Sequence, residues 1–423
     1  MSCSEWQKVR LGDVIEFNPK ETIKKKQISK KVSMDKLDTF TRKINGYEEV
    51  EFTSGTKFRN GDTLLARITP CLENGKTAQV DILDDGEVAF GSTEFIVLRE
   101  HKGITINKYI YYLSISPEFR HIAIKCMTGS SGRQRVQKDV LEDTEILLPP
   151  IEEQEKIADI LSSLDDKIEL NNEMNKTLEE MAQSIFKRWF VDFEFPNEDG
   201  EPYKSSGGEM VKSELGMIPI GWEVKEIGDT ELLIEDGDRG KNYPNKSQLL
   251  KKGYCPFLNN KNIIDDKINF KDCDFISEER DKLLRKGKIN INDIVLTTRG
   301  SVGNVGILHE YLNYKFARIN SGMVIIKNNS YLDLMYLYSL IKSDYMKLKY
   351  KNMITGTAQP QLPIKDIKKI KILIPKKNIQ VECGKILKSL YDKIFENDSE
   401  IVTLSKKRDI LLPKLISDNL ITK

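Results

Sequence analysis

Along residues 149–195 (PPIEEQEKIADILSSLDDKIELNNEMNKTLEEMAQSIFKRWFVDFEF) the apolar positions recur at steps of three and four. One row runs Ile157, Leu164, Asn171, Leu178, Ile185; the other runs Leu161, Ile168, Asn175, Ala182, Trp189. Members of each row lie seven apart, an a/d seam that predicts a long helix paired with another helix. At 1.5 Å per residue, ~40 residues make a rod of ~60 Å. The pattern returns near the end of the chain. Cys383, Leu390, Asn397, Leu404, Leu411 and Leu387, Ile394, Ile401, Arg408, Leu415 match the ten positions one for one at an offset of 226. Pro413 is expected to kink or end this second helix at the preceding turn.

The stretches ahead of the two helices also echo each other. Trp6–Asp13 (WQKVRLGD) returns as Trp222–Asp229 (WEVKEIGD), and the buried-strand pattern Gly61–Arg67 (GDTLLAR) returns as Asn292–Arg299 (NDIVLTTR). Ser92–Leu98 returns as Ser321–Ile326, Thr128–Gln134 as Thr355–Gln361, and Ile146–Pro149 as Ile372–Pro375. A repeat that holds both globule and helix signals is a duplicated unit. The pattern therefore predicts a mixed α/β chain: a first globule at 1–148, a spacer helix at 149–195, a Gly/Pro/Ser-rich linker at 196–221, a second globule at 222–375 and a C-terminal spacer helix at 376–423. Residues 108–125 (KYIYYLSISPEFRHIAIK) read as one amphipathic helix. Antiparallel pairing of the spacer helices would set the globules about a pseudo-two-fold axis. Asn171 and Asn397 would then meet mid-seam, where a buried asparagine fixes register at a cost in stability. The other reading leaves these asparagines in solvent at a helix break.

Charge adds contrast. The net charge is +1, but residues 149–195 hold 12 acidic and 5 basic side chains, while residues 222–375 hold 26 basic and 19 acidic. A basic block permits nucleic-acid binding without establishing it; the acidic helix is better suited to holding protein subunits. No apolar run of 18 residues predicts a membrane helix, and the first residues (MSCSEWQKVR) lack an apolar leader core, so a cytoplasmic location is expected. Cys3, Cys71, Cys126, Cys255, Cys273 and Cys383 form no CxxC pair, and His101, His121 and His309 lie far apart. Reduced thiols and no metal site are expected.

Catalytic spacing is sparse. Gly75-Lys76-Thr77 resembles the end of a phosphate-binding loop, but Pro70 stands where its first glycine belongs. No nucleophile elbow, zinc-protease helix or amino-methyltransferase motif is present, so a recognition or scaffold role is expected rather than chemistry.

Leu148–Leu161 (LPPIEEQEKIADIL), Phe186–Phe193 (FKRWFVDF) with the segment after it, Gly61–Lys76 and the terminal Leu411–Ile416 resemble the specificity subunit of type I restriction–modification systems. The resemblance covers nearly the whole chain. It weakens at the second helix, where Lys376–Gln380 (KKNIQ) replaces Pro150–Gln154 (PIEEQ) and keeps only the glutamine. It implies that each globule is a target recognition domain reading one half of a split double-stranded DNA site, with the helix pair as a ruler between them. It also implies two modification subunits that bind S-adenosylmethionine and methylate adenine, restriction subunits that use ATP and Mg, and a chain that itself holds no cofactor and does no chemistry. Phosphate contacts would supply affinity, and arginine or glutamine on loops would supply base readout. The candidates are Arg133, Gln134 and Arg135 on the first loop and Gln359 and Gln361 on the second, then Arg67, Lys76, Lys241 and Arg299. The alternative is a tandem-module coiled-coil scaffold without DNA specificity.

Overall fold

A computed structural model describes residues 6–130, 132–328, 330–356 and 360–417. The chain divides into two compact units: Met1–Leu170 with Glu400–Lys423, and Asn171–Ser399. Each unit thus holds one globule, part of the first long helix (Ile151–Phe190) and part of the second (Lys377–Ile416).

In the first unit, strand Gln7–Arg10 pairs antiparallel with Glu145–Leu148, the strand that runs into the first long helix. One antiparallel sheet has the order Ile15–Phe17, Phe95–Glu100, Thr63–Ala66, Thr77–Gln79. A second has the order Glu48–Glu51, Ile28–Val32, Ala89–Gly91, Thr56–Phe58, with its middle pair parallel. The strand Thr63–Ala66 is buried at every position because both of its faces are covered. Leu65 joins the core that holds Tyr109, Tyr112 and the first long helix, while Leu64 joins the core between the sheets with Phe58 and Val97.

The second unit repeats this plan. Glu223–Glu226 pairs with Lys371–Ile374 ahead of the second long helix. The two sheets run Leu233–Asp236, Met323–Lys327, Ile294–Thr297, Val305–Ile307 and Asp274–Ile276, Cys255–Leu258, Phe316–Ile319, Lys288–Asn290, again with a parallel middle pair. Leu296 and Val295 divide between two cores as Leu65 and Leu64 do. The duplication expected from the sequence is therefore a duplication of topology.

The long helices pair antiparallel. In the first unit Ile157, Ala158 and Leu161 pack with Leu412 and Ile416; in the second, Ala182, Phe186 and Trp189 pack with Ile379, Cys383 and Leu387. Leu164, Ile168, Leu178, Ile185, Leu390, Ile401, Leu404 and Leu411 are half-buried, whereas Ile394, Asn171 and Asn397 are buried. A further buried row, Ala158, Asp165, Phe186 and Phe190, faces the globules, so the inward stripe is wider than a two-helix seam needs.

Several local expectations change. Pro413 lies inside the second helix, which continues to Ile416. Burial of Leu412 and Ile416 outweighs the missing N–H, and the Pro413 carbonyl accepts from the Ser417 backbone and hydroxyl. Asn397 donates to Asn175 at 2.9 Å rather than meeting Asn171. Residues 108–125 form two helices, Asn107–Ile115 and Pro117–Lys125, because Ser116 is extended and caps the second through Phe119 N–H, with Pro117 at its first position. Within 196–221 lies a hairpin, Met210–Ser213 with Gly216–Pro219, and Phe195 stacks between Tyr203 and Trp222. Among the described residues no helix is long and apolar enough to cross a membrane, and no group of three or more His, Cys, Asp or Glu could hold a metal ion.

Candidate nucleic-acid interface

The glutamine that survives in both helix-start motifs has the same task in both units. Gln154 is 0% exposed; its amide donates to the carbonyls of Ile104 (2.8 Å) and Pro149 (2.9 Å), and its oxygen accepts from Ile106 N–H (3.3 Å). Gln380 is 2% exposed; it donates to Pro375 (2.7 Å) and accepts from Asp333 N–H (3.0 Å). Ile106 and Asp333 precede the helices Asn107–Ile115 and Leu334–Lys342. One side chain thus ties the strand-to-helix corner to the start of a globule helix, satisfying groups that a buried helix end leaves orphaned.

Salt bridges reinforce each junction. Arg42 of the first globule is bidentate to Glu169 (2.9 and 2.7 Å) and also binds Asp166 (2.5 Å). In the second unit Lys267 meets Asp398 (2.7 Å) and Lys342 meets Glu179 (3.0 Å). Part of the acidity of the helices is therefore used by their own globules.

The candidate loops lie where the central strand of each main sheet ends. In the first unit Thr128 bridges to Arg135 and Arg135 to Ile68. In the second, Thr355 bridges to Gln361 and Gln361 to Arg299. This register makes Gln361 the counterpart of Arg135, one position on from the Gln134 alignment of the sequences, because the second loop is one residue shorter. Gly129 and Gly356, the first residue of each loop, have φ of +123° and +85°, a conformation that favours glycine.

The candidate side chains differ in freedom. Arg133 and Lys241 are exposed, and Gln134 is half-buried with its carbonyl accepting from Thr69 N–H at 3.0 Å. Arg67 donates to the Val136 carbonyl (3.1 Å), and its Nε, like that of Arg299, is buried without a partner. Lys76 spends its ammonium on the Met34 carbonyl (2.9 Å). Arg135 grips Glu94 with Nε and Nη2 at 2.7–3.0 Å. Gln359 lies outside the described residues. Arg67 and Arg135 come together at one loop, and Arg299 and Gln361 at the other; Lys76 and Lys241 lie on separate segments. Sequence reasoning missed Glu94, which lies 41 residues from the Arg135 it binds and leaves no local signal.

Comparison with known proteins follows this division. The model of the type I restriction modification DNA specificity domain matches residues 3–180 and again 219–403, each match a globule with most of its long helix. The specificity subunit of the type I restriction enzyme MjaIX from Methanocaldococcus jannaschii is 31% identical over 313 residues, 74% of this chain and 68% of that protein. The HindI specificity subunit from Haemophilus influenzae is 25% identical over 98% of this chain and 99% of its own length. In fold, the S subunit of the type I restriction–modification system from M. genitalium aligns over 98% of this chain and 96% of that one, with a TM-score of 0.60 at 17% identity. The chain belongs to the family of type I restriction modification DNA specificity domain proteins.

Proposed function

We propose that this chain is the DNA-reading subunit of a type I restriction–modification assembly, with each globule reading one half of a split duplex target and the helix pair fixing the unread spacing between them. The observation that supports this most is the repetition of one topology with different loop side chains. Two similar readers with different chemistry suit two different half-sites, and a rigid connection makes their separation a geometric constant. In this reading the chain carries no cofactor and performs no chemistry. Two modification subunits bind S-adenosylmethionine and methylate adenine, restriction subunits supply ATP- and Mg-dependent translocation and cleavage, and the assembly works in the cytoplasm.

Methylome sequencing of a host that expresses the chain with its modification partner tests this. A split, adenine-methylated motif that disappears without the chain is the expected result. Methylation of a contiguous motif, or none that depends on the chain, would overturn it.

A further inference from the structure

The two loops stand on the same backbone frame. In the first unit Val136 N–H donates to the Arg67 carbonyl (2.9 Å), and Arg67 N–H donates to the Glu94 carbonyl (2.9 Å). In the second, Leu362 N–H donates to Thr298 (2.9 Å) and Thr298 N–H donates to Gly322 (2.8 Å). Residue by residue, this places Arg135 on Gln361 and Glu94 on Gly322. Two positions on the shared frame therefore change together: arginine with a carboxylate in one unit, glutamine with glycine in the other.

Stability gives no reason for the first pair. Arg135 and Glu94 side chains are 43% and 25% exposed, and ion pairs this open contribute little. Its effect is orientation. Glu94 occupies the Nε/Nη2 edge of the guanidinium, and Nη1 is left with a 3.5 Å approach to the Arg133 carbonyl. A planar fork held at one edge presents its other edge, Nη1 with Nη2, at a fixed angle. That edge matches the two acceptors of guanine in the major groove, O6 and N7; a glutamine amide matches the donor and acceptor of adenine, N6 and N7. In the second unit glycine stands at this position, and a side chain there would have to displace Asn260. A Cβ at Gly322 would stand 2.9 Å from Asn260 Oδ1. The surroundings are cationic on both sides, with Arg133 exposed beside Arg135 and the Arg239 guanidinium 3.3 Å from the Ser321 carbonyl, next to Gly322.

We propose that Arg135 and Gln361 are equivalent base-reading residues, Arg135 taking a guanine in one half-site with Glu94 as its positioning residue, and Gln361 taking an adenine in the other. This rests on the DNA-reading function proposed above.

The test is the methylome of a host carrying the full chain with its modification partner, wild type against Arg135→Gln/Glu94→Ala. The wild type is expected to give a split motif with a guanine in one half. The double variant is expected to replace that guanine by adenine at one position, leaving the other half unchanged. Arg135→Lys, which keeps the charge but loses the fork, is expected to lower guanine preference by ~10- to 100-fold in competition binding with duplex DNA while retaining nonspecific affinity. Glu94→Gln is expected to relax the same position to a smaller degree. A wild-type split motif that both Arg135 variants read unchanged would overturn the base-reading assignment while leaving the function above intact. A wild type with no split motif would overturn both.

Discussion

The two units agree where a helix leaves a globule and disagree almost everywhere that the globule meets something else. At the helix start, Gln154 and Gln380 make the same bonds to a proline carbonyl and to the backbone N–H ahead of a globule helix. One turn-rich loop away, the shared frame carries arginine with glutamate or glutamine with glycine. The face of each globule against its helices differs as much. In the first unit Arg408 binds Asp165 at 2.8 Å, and Asp165 accepts from the Tyr112 hydroxyl at 2.8 Å. The repeat puts Tyr391 at the position of Asp165 and Ala182 at that of Arg408, and there Tyr391 packs edge-on against Tyr338 at 5.1 Å. What is kept is the bonding at the globule–helix corner, and what is changed is the side chains at the loops and against the helices.

The largest effect is expected where the first unit sets Asp165 against Arg408 and the second has Tyr391 and Ala182 at the matching positions. Asp165 and Arg408 side chains are 3% and 10% exposed. Burial works against the Arg408 charge, but Asp165, with a smaller share from Asp409, more than offsets it and holds the guanidinium protonated. Arg408→Met leaves a buried carboxylate with one hydroxyl partner and is expected to cost ~3–5 kcal/mol. Asp165→Leu/Arg408→Met removes both charges and is expected to recover most of that loss. Chemical denaturation of the three proteins checks this; a double variant as unstable as the single would show that the site does not tolerate an apolar pair.

Next are the glutamines. Gln154→Leu leaves three backbone groups without this partner and Gln380→Leu leaves two. Each is expected to destabilise its own unit by ~2–3 kcal/mol, with Gln154→Leu the larger. Limited proteolysis under native conditions, read unit by unit, separates the effects. Equal loss in both units from one substitution would mean that the junctions are not independent.

Much of this was legible in the sequence for a physical reason. Heptads and covered strands leave periodic apolar patterns, so Leu161, Leu387 and the runs around Leu65 and Val295 declared the two helices, the central strands and the repeat. The surviving glutamine was visible too, but its meaning was not, because its partners are carbonyls and N–H groups that every residue carries. The loops were placed correctly as elements and misaligned by one residue. Gln134 and Gln361 are identical in type, whereas the backbone bridges pair Gln361 with Arg135. Glu94 was hidden because it lies 41 residues from the arginine it orients. Pro413 misled for the opposite reason: local preference predicted an end that burial of Ile416 overrides.

A smaller effect separates the units by pH. His309 of the second unit lies flat on Phe395, with ring centroids 3.9 Å apart. Burial pushes its pKa down to about 4, with Asp392 pulling the other way and Lys267 adding to the fall. The first unit's His101 and His121 are exposed. An unfolded histidine takes up its proton near 6.5, so between pH 6.5 and 4 the unfolded state binds more protons. The His309 contribution is complete above that window and lost as pH falls through it, by about 1.4 kcal/mol at pH 5.5. Half-buried Asp398 and Asp293, whose carboxyl pKa values are raised by desolvation, act in the opposite sense. The decisive measurement is therefore the difference between wild type and His309→Phe in the pH dependence of second-unit unfolding; parallel curves would remove His309 from the account.

The smallest change in stability is expected at the polar layer of the seam, where the comparison is sharpest. Asn397 donates to Asn175 at 2.9 Å, and Asn175 donates to Asp398 at 2.8 Å. The repeat counterpart of Asn175 is Ile401, so the amide pair belongs to one side of the pseudo-symmetry. Replacing both amides by leucine removes a satisfied pair together and leaves Asp398 its bond to Lys267. The net change is expected to stay within about 1 kcal/mol, whereas Asn397→Leu alone, which strands the Asn175 oxygen, should cost more than the double. The consequence is expected in pairing. Two helices with matched apolar seams can each pair with the wrong partner, in a shifted register or with another chain, and a buried polar layer whose amide pair is not repeated penalises those alternatives. Native mass spectrometry of the Asn175→Leu/Asn397→Leu protein should therefore show a larger dimer fraction than the wild type, at nearly unchanged melting temperature. A variant that stays a single species would mean that direction is set elsewhere, by the unequal contacts that each globule makes with its own stretch of helix.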